Sequence, residues 1–250
     1  MCSSDLLVFL LAPLTMDWAA VRSGASMLGA MRWGTDQPTR VLVIDKADFS
    51  RQRVFEMPAC QVFHFGNAWD DGHVLRVDYV QSVALPDFNA ASNLVMRGQR
   101  STRDTSTPRV LEIALDTGKL SVTARDESVE FPVVDPRVVA QRHRFVWYAT
   151  AIDAGARWGF NGLMRLDIDG GARERFSFGA DVVVEEHVMV PRPGSTREGE
   201  GWLMGMGYDV KRQRSFLSVF DAMHLADGPR ARAWLPYWVP YGFHGKFYAS

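Results

Sequence analysis

Cysteine is almost missing from this chain, with Cys2 and Cys60 the only two in 250 residues. No disulfide framework can therefore brace the fold, and a reducing, cytoplasmic compartment is expected. Long hydrophobic runs are missing too. The stretch LLVFLLAPL at 6–14 is too short to cross a bilayer and lacks the basic flank of a signal peptide. A buried strand is expected there, and a chain that opens on so apolar a strand reads as truncated at its start. Charge of one sign is also missing. With 28 basic against 29 acidic residues and a net charge of −1, no overall field would hold a phosphate backbone, so nucleic acid is not an expected partner. Finally, the sequence has no GxSxG elbow, GxGxxG turn, Walker loop, CxxC pair or HExxH helix.

What is present is a succession of short apolar runs rich in Val, Phe, Tyr and Trp, among them RVLVIDK, CQVFHFGNAW, HVLRVDYVQSV, RFVWYATAID and VVVEEHVMV. Turn formers separate them, as in DDG at 70–72, DTG at 116–118 and PRPGSTREGEG at 191–201. Several runs alternate apolar and polar residues with the period of two that a half-buried strand requires. The chain reads as all-β, with about 14 strands in a sandwich, barrel or propeller. A short helical excursion is expected near residues 17–31, behind Asp17 as N-cap. Residues 97–108 are polar and unpatterned, as an exposed loop would be.

The six histidines differ in setting. His73, His143, His187 and His224 have polar or turn neighbours, so solvated or locally hydrogen-bonded imidazoles are expected and none is placed in a site. His64 lies between Phe63 and Phe65, and His244 between Phe243 and Gly245. A buried imidazole must satisfy both ring nitrogens. Metal on one and a carboxylate on the other does so, and so do backbone carbonyls in a core. Glu130 and Glu186 each sit in or beside an apolar stretch and need a partner. An arginine such as Arg137 or Arg192 is one candidate, and a metal-bound histidine is another. Cys60 is expected to be an inert core thiol.

Several segments together resemble the carotenoid cleavage oxygenase family, which includes apocarotenoid oxygenases, lignostilbene dioxygenases and retinoid isomerohydrolases. FHFGNAWDDG is similar to its iron-histidine strand, and EFPVVDPRVVAQRHRFVWY to its Glu-Phe-Pro segment. EEHVMVPRPG is similar to its Glu-x-x-x-Val-Pro-Arg segment, and the stretch from GWLMGMGYDV to YGFHGKF to its C-terminal signature. The resemblance covers nearly the whole chain. It implies a partial, C-terminal half of a seven-bladed β-propeller, with residues 1–250 as a single partial domain that lacks the N-terminal blades.

By the same resemblance, His64 and His244 would be ligands of iron(II), with Glu130 and Glu186 as the carboxylates that orient them. Two further histidines of the family's four do not map onto this sequence, so the chain alone is expected to be inactive. The implied activity is cleavage of a conjugated C=C bond, in an apocarotenoid, a carotenoid or a stilbene, by O2 to give two carbonyl products. Family members draw lipidic substrates from membranes, which implies peripheral membrane contact for a full-length parent, although no amphipathic anchor is evident here. Open propeller edges would favour self-association. Two rival readings are a propeller hydrolase or lactonase with calcium or zinc held by carboxylates, and a non-enzymatic propeller binding module.

Overall fold

The computed structural model describes residues 1–250 except 83–88, 91–92, 95–96, 98, 100–105, 153–158 and 249–250. The chain divides into two compact units, Met1–Arg125 and Asp126–Ser250.

The first unit runs β1 (Leu6–Leu11), β2 (Leu14–Met16), α1 (Trp18–Arg22), α2 (Met27–Ala30), β3 (Met31–Trp33), β4 (Thr39–Asp45), β5 (Gln52–Met57), β6 (Gln61–Asp70), β7 (Val74–Ser82), β8 (Thr107–Ala114) and β9 (Leu120–Ala124). The order in space is β1-β4-β5 in one sheet, β2-β3 in a ribbon and β6-β7-β8-β9 in a four-stranded meander. The expected helical excursion is present as two short helices. Asp17 caps the first through the Ala20 N–H, and Ser26 caps the second through the Gly29 N–H. Val8, Val41, Val43, Leu75, Val77, Leu111 and Ile113 form the core between the sheets. The exposed loop expected at 97–108 falls mostly outside the described residues, and its last two residues, Thr107 and Pro108, open β8.

Two expectations need correction here. LLVFLL is a strand, but of its six residues only Val8 is fully enclosed, while Phe9 is 43% and Leu11 48% exposed. β1 is the outer strand of its sheet, so alternate side chains face away from the core. Seventeen strands are described rather than about 14. β3 is only three residues long, and β5 is mostly exposed and polar. β10 (Val129–Val133), in the second unit, is broken by the Phe131-Pro132 step. None of the three leaves an apolar run to read.

The second unit contains β10 (Val129–Val133), β11 (Phe145–Thr150), β12 (Gly162–Asp167), β13 (Arg173–Ser177), β14 (Val182–Pro191), β15 (Gly201–Asp209), β16 (Arg214–Asp221) and β17 (Ala231–Trp234). They form two antiparallel four-stranded meanders, β10 to β13 and β14 to β17. Strands that each pair with the next in sequence need no crossover, which is the economical way to build a propeller blade. Trp147, Leu163, Leu203 and Phe220 pack between the two sheets at one level, and Phe131, Ala149, Val184 and Phe216 at another. Among the described residues no helix is long and apolar enough to cross a membrane.

Candidate functional site

In a regular strand, neighbouring side chains point to opposite faces, so two consecutive glutamates cannot serve one partner. In β14 the pairing with β15 shifts between Val184 and His187, which makes Glu185 and Glu186 the residues of a β-bulge. Both carboxylates then reach the segment that follows β17. Glu185 Oε1 accepts the Gly242 N–H at 2.6 Å, and Glu186 Oε2 accepts the Gly245 N–H at 2.9 Å. Glu186 Oε1 lies 3.3 Å from His244 Nδ1. A Cβ on Gly242 would come within 3.2 Å of Glu185 Oε2, so glycine is what allows the backbone to approach the carboxylate this closely.

Glu186 therefore settles the tautomer of His244. A carboxylate beside Nδ1 calls for a proton there, which leaves Nε2 as the nitrogen able to bind a metal. The imidazole side chain is 56% exposed, and its ring meets the Phe131 ring edge-on at 5.8 Å and 83°. Phe131 occupies the left-handed region at φ 53°, unusual for a bulky residue, and its N–H donates to Glu130 Oε2 at 2.7 Å. Glu130 is 8% exposed and sits where β10 slips its register against β11, between Glu130 and Val133. His64, on β6, stands between two further slips, at Val62/His64 and Phe65/Ala68. Glu186 thus lies in a bulge, Glu130 and His64 are paired residues beside register slips, and His244 is in the segment that the β14 bulge holds.

An open pocket of about 220 Å³ adjoins this place. Its wall combines Glu185, Glu186, His244 and Lys246 with the apolar Val188, Met204, Met206, Leu217 and Phe243. Among the described residues no group of three or more His, Cys, Asp or Glu side chains is arranged to hold a metal ion. The donor chemistry still fits a metal in part, because a carboxylate at Nδ1 is the arrangement that aims a histidine at one.

With 26% identity, the chain is similar to apocarotenoid-15,15'-oxygenase of Synechocystis sp. over 217 residues, 85% of this chain and 43% of that protein. It is similar to isoeugenol monooxygenase of Pseudomonas putida at 29% identity, over 77% of this chain and 42% of that one. Cobalt-substituted Synechocystis apocarotenoid oxygenase superposes with a TM-score of 0.86 at 22% identity, covering 100% of this chain and 52% of that structure. The family model described as retinal pigment epithelial membrane protein matches residues 1–249. The chain belongs to the carotenoid cleavage oxygenase family. Its fold is the β-propeller of those structures over about half their length, and the chain spans less than half the length of the two curated relatives.

Membership in the carotenoid cleavage oxygenases does not explain every polar residue. His73 and His224 are exposed as expected, and His224 Nδ1 lies 3.1 Å from Asp221 Oδ1. His143 and His187 are buried, 2% and 3% exposed, and His187 is the locally hydrogen-bonded kind of imidazole that the sequence allows. His187 Nδ1 is 3.0 Å from the Glu185 carbonyl, and Nε2 is 2.9 Å from Ser218 Oγ. Burial pushes its pKa down to about 4, so the ring is neutral. The apolar run VVVEEHVMV around it was the available sign of burial.

Glu185 has no signal of its own in the sequence, since the family match falls on its neighbour Glu186. Arg137 does not serve either candidate glutamate. It is clasped to fully buried Asp135 at 2.6 Å and donates to the carbonyls of Ser195 and Arg197. Arg192 lies over the Trp202 ring at 5.4 Å. Cys60 is a core thiol, 4% exposed and pushed up in pKa by burial.

Proposed function

We propose that His64, in the first unit, and His244, in the second, each serve as an iron(II) ligand in an oxygenase that cleaves a conjugated C=C bond. Glu186 and Glu130 are the carboxylates assigned to those histidines. The observation that carries the reading is the Glu186 carboxylate, which bonds His244 Nδ1 and the Gly245 N–H together and so fixes both the tautomer and the backbone beneath the ring. The family membership and the relatives' names, which include carotenoid- and apocarotenoid-cleaving enzymes, supply the reaction class.

Iron held by neutral imidazoles would supply the activation of O2. The chain's own residues do the rest. His244 offers Nε2 while Glu186 retains the Nδ1 proton. The apolar side chains of Val188, Met204, Met206 and Phe243 offer a polyene or stilbene a surface to pack against. The Phe131 ring packs against His244 in a T-shaped contact.

The test is titration of the purified chain with cobalt(II), a spectroscopic stand-in for iron(II), under anaerobic conditions. Metal-induced shifts of the His64 and His244 imidazole signals, in preference to those of the other four histidines, are expected. Shifts that arise equally or preferentially at the other histidines overturn the reading.

A further inference from the structure

We infer that His187 is a positioning residue: it locks the β14 bulge so that Glu185 and Glu186 both face the segment carrying His244. This deepens the proposed metal reading and rests on it for its functional meaning. The geometry is a single row across three strands. His187 pairs with Gly205 on β15, and Gly205 pairs with Ser218 on β16. The imidazole lies across the glycine to reach the serine two strands away, with Nε2 at 2.9 Å from Ser218 Oγ. The place is made for a ring, because a Cβ on Gly205 would run into the imidazole and come within 2.6 Å of the Glu186 carbonyl oxygen.

The other ring nitrogen fixes the bulge itself. Nδ1 is 3.0 Å from the carbonyl of Glu185, an acceptor, so Nδ1 carries the proton and the Ser218 hydroxyl donates to Nε2. A bulge leaves backbone groups without ladder partners, and here the side chain two residues on takes up one of them. Phe178 and Phe220 flank the ring at 6.1 and 6.2 Å between centroids, so it has no room to turn away. With the Glu185 carbonyl tied inward, the two glutamate side chains are left to the other side, where Gly242 and Gly245 donate to them.

Amide hydrogen exchange and amide proton shifts of metal-free protein test this. In His187→Ala, exchange at Gly242 and Gly245 should quicken by about tenfold relative to the amides of β15 and β16. Their proton shifts should move toward ordinary values. His187→Asn, which can still donate to the Glu185 carbonyl, should restore part of the protection. Should His187→Ala not fold, Ser218→Ala removes the Nε2 partner alone and is read in the same way. Exchange at the two glycines that changes in step with the sheet amides, or not at all, overturns the inference, since that is how a merely structural core histidine behaves. Failure of the metal reading looks different: the glycine amides would respond as stated while cobalt(II) leaves His244 untouched.

Discussion

Gly205 stands directly across the sheet from His187, and the space a side chain would take there is filled by the imidazole ring. The pair links a glycine with no special backbone angle to the bulge that aims two carboxylates. Gly205→Ala is expected to destabilise the protein by about 1–3 kcal/mol, the range for overpacking a filled interior. Urea unfolding monitored by tryptophan fluorescence would measure it. A change within experimental error would mean that the ring can move aside.

The same histidine sets a pH dependence. Its folded pKa of about 4 lies below the 6.5 of a free imidazole, so below pH 6.5 the unfolded chain takes a proton that the folded chain refuses. The stability associated with neutral His187 is complete above pH 6.5 and is lost as pH falls toward 4, a loss on the order of 3 kcal/mol. Asp71 and Asp167, held down to about 2, each first by hydrogen bonds to the carboxylate, add their losses only at more acidic pH. Unfolding curves at pH 7, 5.5 and 4.5 should show the decline, and His187→Asn should flatten it.

Glu186→Gln keeps the size of the side chain and removes the charge opposite His244 Nδ1. The fold should persist, with cobalt(II) or iron(II) affinity lower by about 10–100-fold, as for other partners of metal-bound histidines. Equal affinity in wild type and variant, measured anaerobically by calorimetry, would remove Glu186 from the site.

Arg137 closes the loop that follows β14. It neutralises Asp135, whose carboxyl stays below its usual pKa because bonds to Arg137 and the Gly199 N–H outweigh the opposing effect of burial. Arg137→Ala would leave that carboxylate buried with backbone donors alone. A loss of about 3–5 kcal/mol is expected. Faster protease cleavage within residues 194–198 should accompany it, since the Ser195 and Arg197 carbonyls would lose their donor.

The residues legible in the sequence were those with a local signature. Alternation in runs such as RVLEIALD marked strands, and the order of FHFGNAWDDG, EFPVVDPR, EEHVMVPRPG and YGFHGKF marked the family and the four candidate residues. These features survive as text because a strand's period and a motif's spacing are properties of neighbours along the chain. β5 and β10 were not legible, since an exposed polar strand and a strand bent at Phe131 carry no period to read.

The bulges were hidden as well, because a register slip is a relation between two strands and neither sequence alone records it. So was the burial of His187, judged from its glutamate neighbours when its surroundings come from Gly205, Ser218, Phe178 and Phe220, each brought in from elsewhere in the chain. The sequence by itself determined the all-β class and the family, and it singled out His64, His244, Glu130 and Glu186 as candidates. Only the tertiary structure decided which way Glu185 and Glu186 point, because side-chain direction in a sheet depends on cross-strand pairing, and pairing is settled only when the strands pack together.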